Sequence, residues 1–175
     1  IGRDLPQLRQ IVAGLGLLGY AATQIAQWLY EKRVTDIEQM TNLSKQARKR
    51  LAEEYCVGLM PPLMKAESTD GTIKYLFEGC GRRDIEAVYI PDRERATLCV
   101  SSQAGCKMGC KFCMTGRGGF QGQLTTTQII NQILSIENSE SLTNIVFMGM
   151  GEPTDNLDAV LHAIDILTAP WGIGW

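Results

Sequence analysis

The spacing of apolar residues changes character about a third of the way along the chain. Over residues 1–55 they recur at helical intervals. Leu5, Leu8, Ile11, Val12 and Leu15 share one face, and that stretch closes in the glycine region 14–19. Ala22, Ile25, Ala26 and Leu29 mark a second helix to about residue 32, with Trp28 beside the stripe, and 36–40 reads as one further turn. Ser44 reads as the N-cap of a helix over 45–55, with Ala47, Leu51 and Tyr55 on one side and Lys45, Arg48, Lys49 and Arg50 on the other. Pro61 and Pro62 then break the pattern in a linker over 59–64.

Beyond the linker the period shortens to that of strands. Residues 65–78 predict a β-hairpin turning at Asp70 and Gly71, 79–84 a polar turn, and 85–90 a strand closed by Pro91 and Asp92. A strand over 97–102 leads into a cysteine-bearing loop, and glycines 116, 118, 119 and 122 keep the following segment irregular. Thr125 caps a helix bearing Ile129, Ile130, Ile133, Leu134 and Ile136. The run 144–148 predicts a buried strand, and Leu157, Val160, Leu161, Ile164 and Leu167 a final helix. Strand, loop, helix, twice over, predicts a parallel βα repeat, in which chemistry sits on the loops after the strands.

Two motifs occupy those loops. Cys106, Cys110 and Cys113 fall within eight residues, with Gly105 and Gly109 between or beside them and Phe112 just before the third thiol. A disulfide would leave one of the three unpaired. A closed zinc site needs four ligands, and the single histidine, His162, is far along the chain. Three thiolates with one ligand missing suit an iron–sulfur cubane with an open iron, against the alternatives of zinc or incidental thiols. The second motif, Gly151-Glu152-Pro153, is by itself compatible with an ordinary turn.

The cysteine spacing resembles the signature of the radical S-adenosylmethionine superfamily. Together with the runs around Glu86, Cys99 and Phe120, and with Met148-Gly-Met-Gly-Glu-Pro153, it resembles the RlmN/Cfr family of radical RNA methyltransferases, and RlmN more than Cfr. The resemblance implies a 4Fe–4S cluster on Cys106, Cys110 and Cys113, and S-adenosylmethionine contacted by Gly151, Glu152 and Phe112. It implies Glu86 as the base that takes a proton from an adenine carbon, and Cys99 as partner in a transient disulfide with a cysteine beyond residue 175. Physics supports Glu86 independently: a carboxylate within an apolar strand, sharing a side with Val88 and Ile90, is costly unless paired or used, and desolvation would raise its pKa. Its bland alternative is an edge-strand glutamate facing water; for Phe112 it is core packing and for Cys99 a small buried thiol. Cys56 and Cys80 match no site and read as structural, and His162 as a surface residue.

The fold class implied is α/β: a helical N-terminal domain (1–58), a linker and β-hairpin region (59–94), and the first βα units of a truncated (βα)6 radical-SAM barrel (95–175). The implied activity is methylation of adenine C2 in 23S ribosomal RNA, with transfer RNA as a second candidate and flavodoxin or ferredoxin as electron donor. The protein is expected to be a monomer. The competing readings are Cfr-like methylation at C8, a metal-loop RNA-binding module without catalysis, and a radical enzyme acting on a protein or small molecule.

Charge adds one feature. All 17 Lys and Arg lie at or before Arg117, where the net charge is +4; the remainder carries six acids and no base. An RNA phosphate backbone would meet the first part, unless the bases merely solubilise helices. No apolar run approaches membrane-spanning length and no signal-peptide pattern opens the chain, so a cytoplasmic protein is expected, and three close-set thiols suit a reducing compartment. The start at Ile1 and the end at Trp175 read as those of a fragment, expected to be inert alone.

Overall fold

The computed structural model describes residues 1–81 and 83–175; Arg82, in the expected 79–84 turn, lies outside the described residues. The chain divides into two compact units, Ile1–Leu59 with His162–Trp175, and Met60–Leu161.

The first unit is helical. α1 (Leu5–Gly14) starts with a reciprocal capping box: the Asp4 carboxylate accepts from Gln7 N–H at 2.7 Å, and the Gln7 side chain returns to Asp4 N–H. Leu8 and Val12 are its buried residues. α2 (Ala21–Ala26) runs into a π-helical turn, Gln27–Glu31, which buries Leu29 and Tyr30. The Tyr30 hydroxyl donates to Arg3 O (2.6 Å) and accepts from Arg3 N–H (3.0 Å), and its ring meets Trp171 edge-on. α3 (Lys45–Glu54) is capped by Ser44 as expected. It ends one residue early, because Tyr55 is extended and stays partly exposed rather than joining Ala47 and Leu51 in the core.

The second unit is built on a five-stranded sheet in the order β1-β2-β3-β4-β7, from β1 (Met64–Glu67), β2 (Ile73–Cys80), β3 (Arg83–Asp92), β4 (Arg95–Cys99) and β7 (Asn144–Val146). The first four strands pair antiparallel, and the β4–β7 pair is parallel. The alternation along β3 sorts its residues: Ile85, Ala87 and Tyr89 are buried, whereas Glu86, Val88 and Ile90 lie on a more open face. Leu98, opposite Tyr89, is buried; Cys99, opposite Val88, belongs to the open face.

Several expectations are corrected. Pro91 does not close β3; Pro91 and Asp92 pair with Ala96 and Arg95, and the reversal falls on Arg93 at φ +51°. The segment expected as a strand over 97–102 leaves the ladder after Cys99. The run 144–148 forms only three paired residues, half-buried, because β7 stands at the end of the sheet. A second sheet pairs β5 (Gln103–Gly105) with β6 (Phe120–Gln123), where irregular chain was expected.

Between them lies the one-turn helix α4 (Met114–Arg117). α5 (Thr126–Leu134) starts at Thr125, with a capping box to Gln128. α6 (Leu157–Thr168) buries Val160 and Leu167 of the expected stripe together with Ala163 and Ile166, while Leu157, Leu161 and Ile164 of that stripe are exposed. His162 is not a surface residue: its Nε2 lies 3.0 Å from Asp4 Oδ2, both side chains being mostly buried, although the pair is not aligned as a hydrogen bond. Among the described residues no helix is long and apolar enough to cross a membrane.

Candidate metal and cofactor site

The cysteine loop is a bulged excursion between β5 and β6. Gly105 starts it at φ +78°, and a β-carbon there would overlap Gly119 O, so any side chain would collide. Cys106 N–H donates to that same carbonyl at 3.3 Å. Gly109, at φ +62°, turns the chain between the first and second thiols. Cys113 N–H donates to Cys110 O at 3.0 Å, and Cys113 then caps α4. Hydrogen bonds from Gly116 N–H, and secondarily from Thr115, hold the Cys113 thiol below its ordinary pKa, which favours the thiolate a soft metal binds. Met108 N–H points at Cys106 Sγ from 3.5 Å.

The donor type therefore fits a cluster. The geometry is open, since among the described residues no three His, Cys, Asp or Glu side chains stand together as a ligand set. Cys110 is exposed and Cys106 and Cys113 are half-buried, so the three thiols are accessible to incoming iron and sulfide. Phe112 is 92 % exposed and Met148 81 %, with Met108 and Met114 also out in solvent. Within this chain Phe112 is no part of the core. These apolar side chains around the loop are free to cover a ligand.

The loop after β7 is pressed against the same place. Gly149 N–H donates to Val100 O, and Ser102 and Gln103 N–H both donate to Met150 O at 2.9 and 3.1 Å. Gly151 has φ +102°, and a β-carbon there would stand 2.6 Å from Gln103 Cβ. Glu152 folds its carboxylate onto Thr154 Oγ1 (2.7 Å) and N–H (3.1 Å), which holds that carboxyl below the usual range.

Glu86 is placed on the open face of β3, as its spacing implied, but in a different environment. It belongs to an interior strand, its side chain is 44 % exposed, and Oε1 meets Lys74 Nζ at 3.1 Å. The expected desolvation is absent and a counter-ion is present. Cys99 lies on the same face, and burial pushes its thiol pKa up. All six cysteines are free thiols and the structure shows no disulfide; the partner expected for Cys99 lies beyond residue 175.

On α3, Arg48 lies 3.4 Å from Glu38 and Arg50 donates to Leu15 O at 3.3 Å, so half of the expected basic face is engaged within the chain; Lys45 and Lys49 remain exposed.

Sequence reasoning missed the polar residues that join the two loops. Gln103, fully buried, bonds Glu152, Asp155 and Gln123; Asn156 donates to Ser102 O and Leu124 O; Gln132 bonds both N–H and C=O of Ser101. A signal was available: Asn131 and Gln132 interrupt an apolar helix, and Ser101, Ser102 and Gln103 follow an apolar strand, where a polar side chain must find partners.

With this geometry established, the comparisons with known proteins carry weight. Residues 1–57 match the family model "Ribosomal RNA large subunit methyltransferase N-terminal domain", and residues 100–172 match "Radical SAM superfamily". The chain is 57 % identical over its full length to "Probable dual-specificity RNA methyltransferase RlmN" of Phocaeicola vulgatus, covering 50 % of that protein. It is 45 % identical, over 97 % of its length, to "Dual-specificity RNA methyltransferase RlmN" of Bdellovibrio bacteriovorus, covering 43 % of that protein. A crystal structure of a radical SAM methyltransferase from Sphaerobacter thermophilus superposes with a TM-score of 0.88 at 35 % identity, covering 99 % of this chain and 53 % of the other. The chain thus spans about half the length of the curated relatives it matches. From its two domain matches, its relatives and its mixed α/β fold with a helical N-terminal region, the chain belongs to the RlmN family of radical SAM proteins.

Proposed function

We propose that the protein to which this chain belongs methylates C2 of an adenine in 23S ribosomal RNA, and acts also on transfer RNA. The observation carrying this reading is the joining of two loops: the one bearing Cys106, Cys110 and Cys113 and the one bearing Gly151 and Glu152 are hydrogen-bonded together beyond the ends of the parallel strands β4 and β7. Together β4, β7 and their following helices are read as the opening units of a partial (βα)6 barrel.

In this reading the three cysteines hold a 4Fe–4S cluster. Bound there with S-adenosylmethionine, it supplies one-electron chemistry, which an electrophilic adenine carbon needs because it does not attack an ordinary methyl donor. The chain's own residues do the rest. Glu152, kept as a carboxylate by Thr154, would pair with the cofactor's ammonium, and the backbone at Gly151 would admit close approach. Phe112, exposed in this chain, would pack against the cofactor's adenine. Glu86, on the open face with Lys74 as counter-ion, removes the proton from adenine C2. The exposed lysines of the first 117 residues meet RNA phosphate, and a flavodoxin or ferredoxin delivers the electron.

The test is methyl transfer from labelled S-adenosylmethionine to a 23S ribosomal RNA fragment by the full-length protein. Glu86→Gln keeps size and most hydrogen bonding, so cofactor cleavage should persist while methylated product falls by about 10²-fold. Undiminished product from Glu86→Gln would return that residue to a structural role. Absence of C2-methyladenine with the unaltered protein would refute the assigned reaction.

A further inference from the structure

We propose that Gln103 is the positioning residue of this site, clamping the 150–155 loop onto the root of the cysteine loop. The inference rests on the reading of the site just given and assigns a role to a residue three positions before Cys106.

Gln103 is wholly buried, and every polar atom of its amide is used. Oε1 accepts from Glu152 N–H at 2.9 Å; Nε2 donates to Asp155 Oδ2 at 2.6 Å and to Gln123 Oε1 at 2.8 Å. The orientation of the amide is fixed chemically. Turned over, it would set NH2 against a backbone N–H and a carbonyl oxygen against a carboxylate. The main chain of Gln103 grips the same loop through Met150 O, and its Cβ fills the space a side chain on Gly151 would need.

A second tie comes from within the cysteine loop: Lys107 Nζ reaches Asp155 Oδ2 at 2.9 Å and lies 4.4 Å from the centre of the Phe120 ring. Asp155 is therefore the shared anchor, taking Gln103 from β5 and Lys107 from beside Cys106. Through these bonds Gln103 sets where the Glu152 carboxylate stands relative to the three thiols. An amide is required for this. It alone offers one acceptor and two donors in a plane, whereas a carboxylate of the same shape would keep the acceptor and oppose Asp155 with like charge.

The clamp is tested with Gln103→Glu, with Gly151→Ala, which pushes the loop off from its other side, and with the exchanged pair Gln103→Glu/Asp155→Asn. Amide hydrogen exchange at Glu152 is measured on the 175-residue chain without metal. The same variants of the full-length protein are reconstituted anaerobically with iron and sulfide, and their iron content and S-adenosylmethionine affinity are measured. Each single variant should speed exchange at Glu152 and weaken S-adenosylmethionine binding by about tenfold, the scale of one lost hydrogen bond, with iron content unchanged. The exchanged pair should recover part of both losses, because an amide at position 155 can again donate to a carboxylate at position 103 even though Gln123 Oε1 stays opposed, which a generally loosened fold would not do. Unchanged exchange at Glu152 in both single variants, or no recovery in the exchanged pair, would overturn the clamp. An unaltered full-length protein that takes up iron but no S-adenosylmethionine would overturn the cofactor reading instead, and the metal-free exchange would still decide for or against the clamp.

Discussion

Gln132 shows how much of this site is held by single buried polar groups. Its amide accepts from Ser101 N–H at 2.9 Å and donates to Ser101 O at 3.0 Å, replacing a strand partner just where the chain leaves β4. Gln132→Leu keeps the volume but orphans a buried donor and a buried acceptor. It should destabilise the chain by about 2–4 kcal/mol, read as a lower urea midpoint with unchanged slope. A midpoint within error of the parent would mean that Ser101 finds other partners. At this scale the sequence was readable where neighbours in the chain are also neighbours in the site, as with the three cysteines and Gly151-Glu152. It was silent on Gln103 with Asp155, because a contact 52 residues apart leaves no periodicity. Glu86 falls between: strand alternation gave its face, but nothing local could say that Lys74, diagonal to it on β2, would supply a counter-ion.

At the scale of elements, helix starts were legible because caps are local chemistry. Ser44 and Thr125 cap as read, and Asp4, not singled out in the sequence, caps by the same hydrogen-bond rules. Thr125 is the informative case, since Gln128 returns the bond and also donates from Nε2 to Gly79 O at 3.2 Å. Thr125→Ala should cost about 1 kcal/mol, with exchange rising first in the opening turn of α5; an unchanged midpoint would show the box to be redundant. The β5–β6 ladder was not legible. Its strands are three and four residues long, rich in Gln and Gly, and make sense only once Gly105 meets Gly119 across the cysteine loop. Pro91 misled for a related reason: proline is excluded from a ladder only where its missing N–H is needed, and here it pairs at the far end of β3.

For the whole molecule, the class of fold was legible from the change of apolar period. The open face of the sheet was not, because half-exposed Val88, Cys99 and Val146 look in sequence like core residues. The exposed Leu157, Leu161 and Ile164 on α6 make the same point. Charge asymmetry also belongs to this scale, and the structure refines which bases are free to act. With Arg48 and Arg50 engaged internally, Lys45→Glu and Lys49→Glu should flatten the salt dependence of RNA binding by about two units of slope. A slope unaltered by both would mean that this face of α3 is only solvated.

The central claim is that Cys106, Cys110 and Cys113 together hold an iron–sulfur cluster. The most direct test is iron, sulfide and zinc analysis of the 175-residue chain after anaerobic reconstitution. The account predicts about four irons and four sulfides per chain, lost when any one of the three cysteines becomes alanine and retained in Cys56→Ala and Cys80→Ala. Stoichiometric zinc without iron uptake, or iron that survives replacement of Cys106, Cys110 and Cys113, would contradict it.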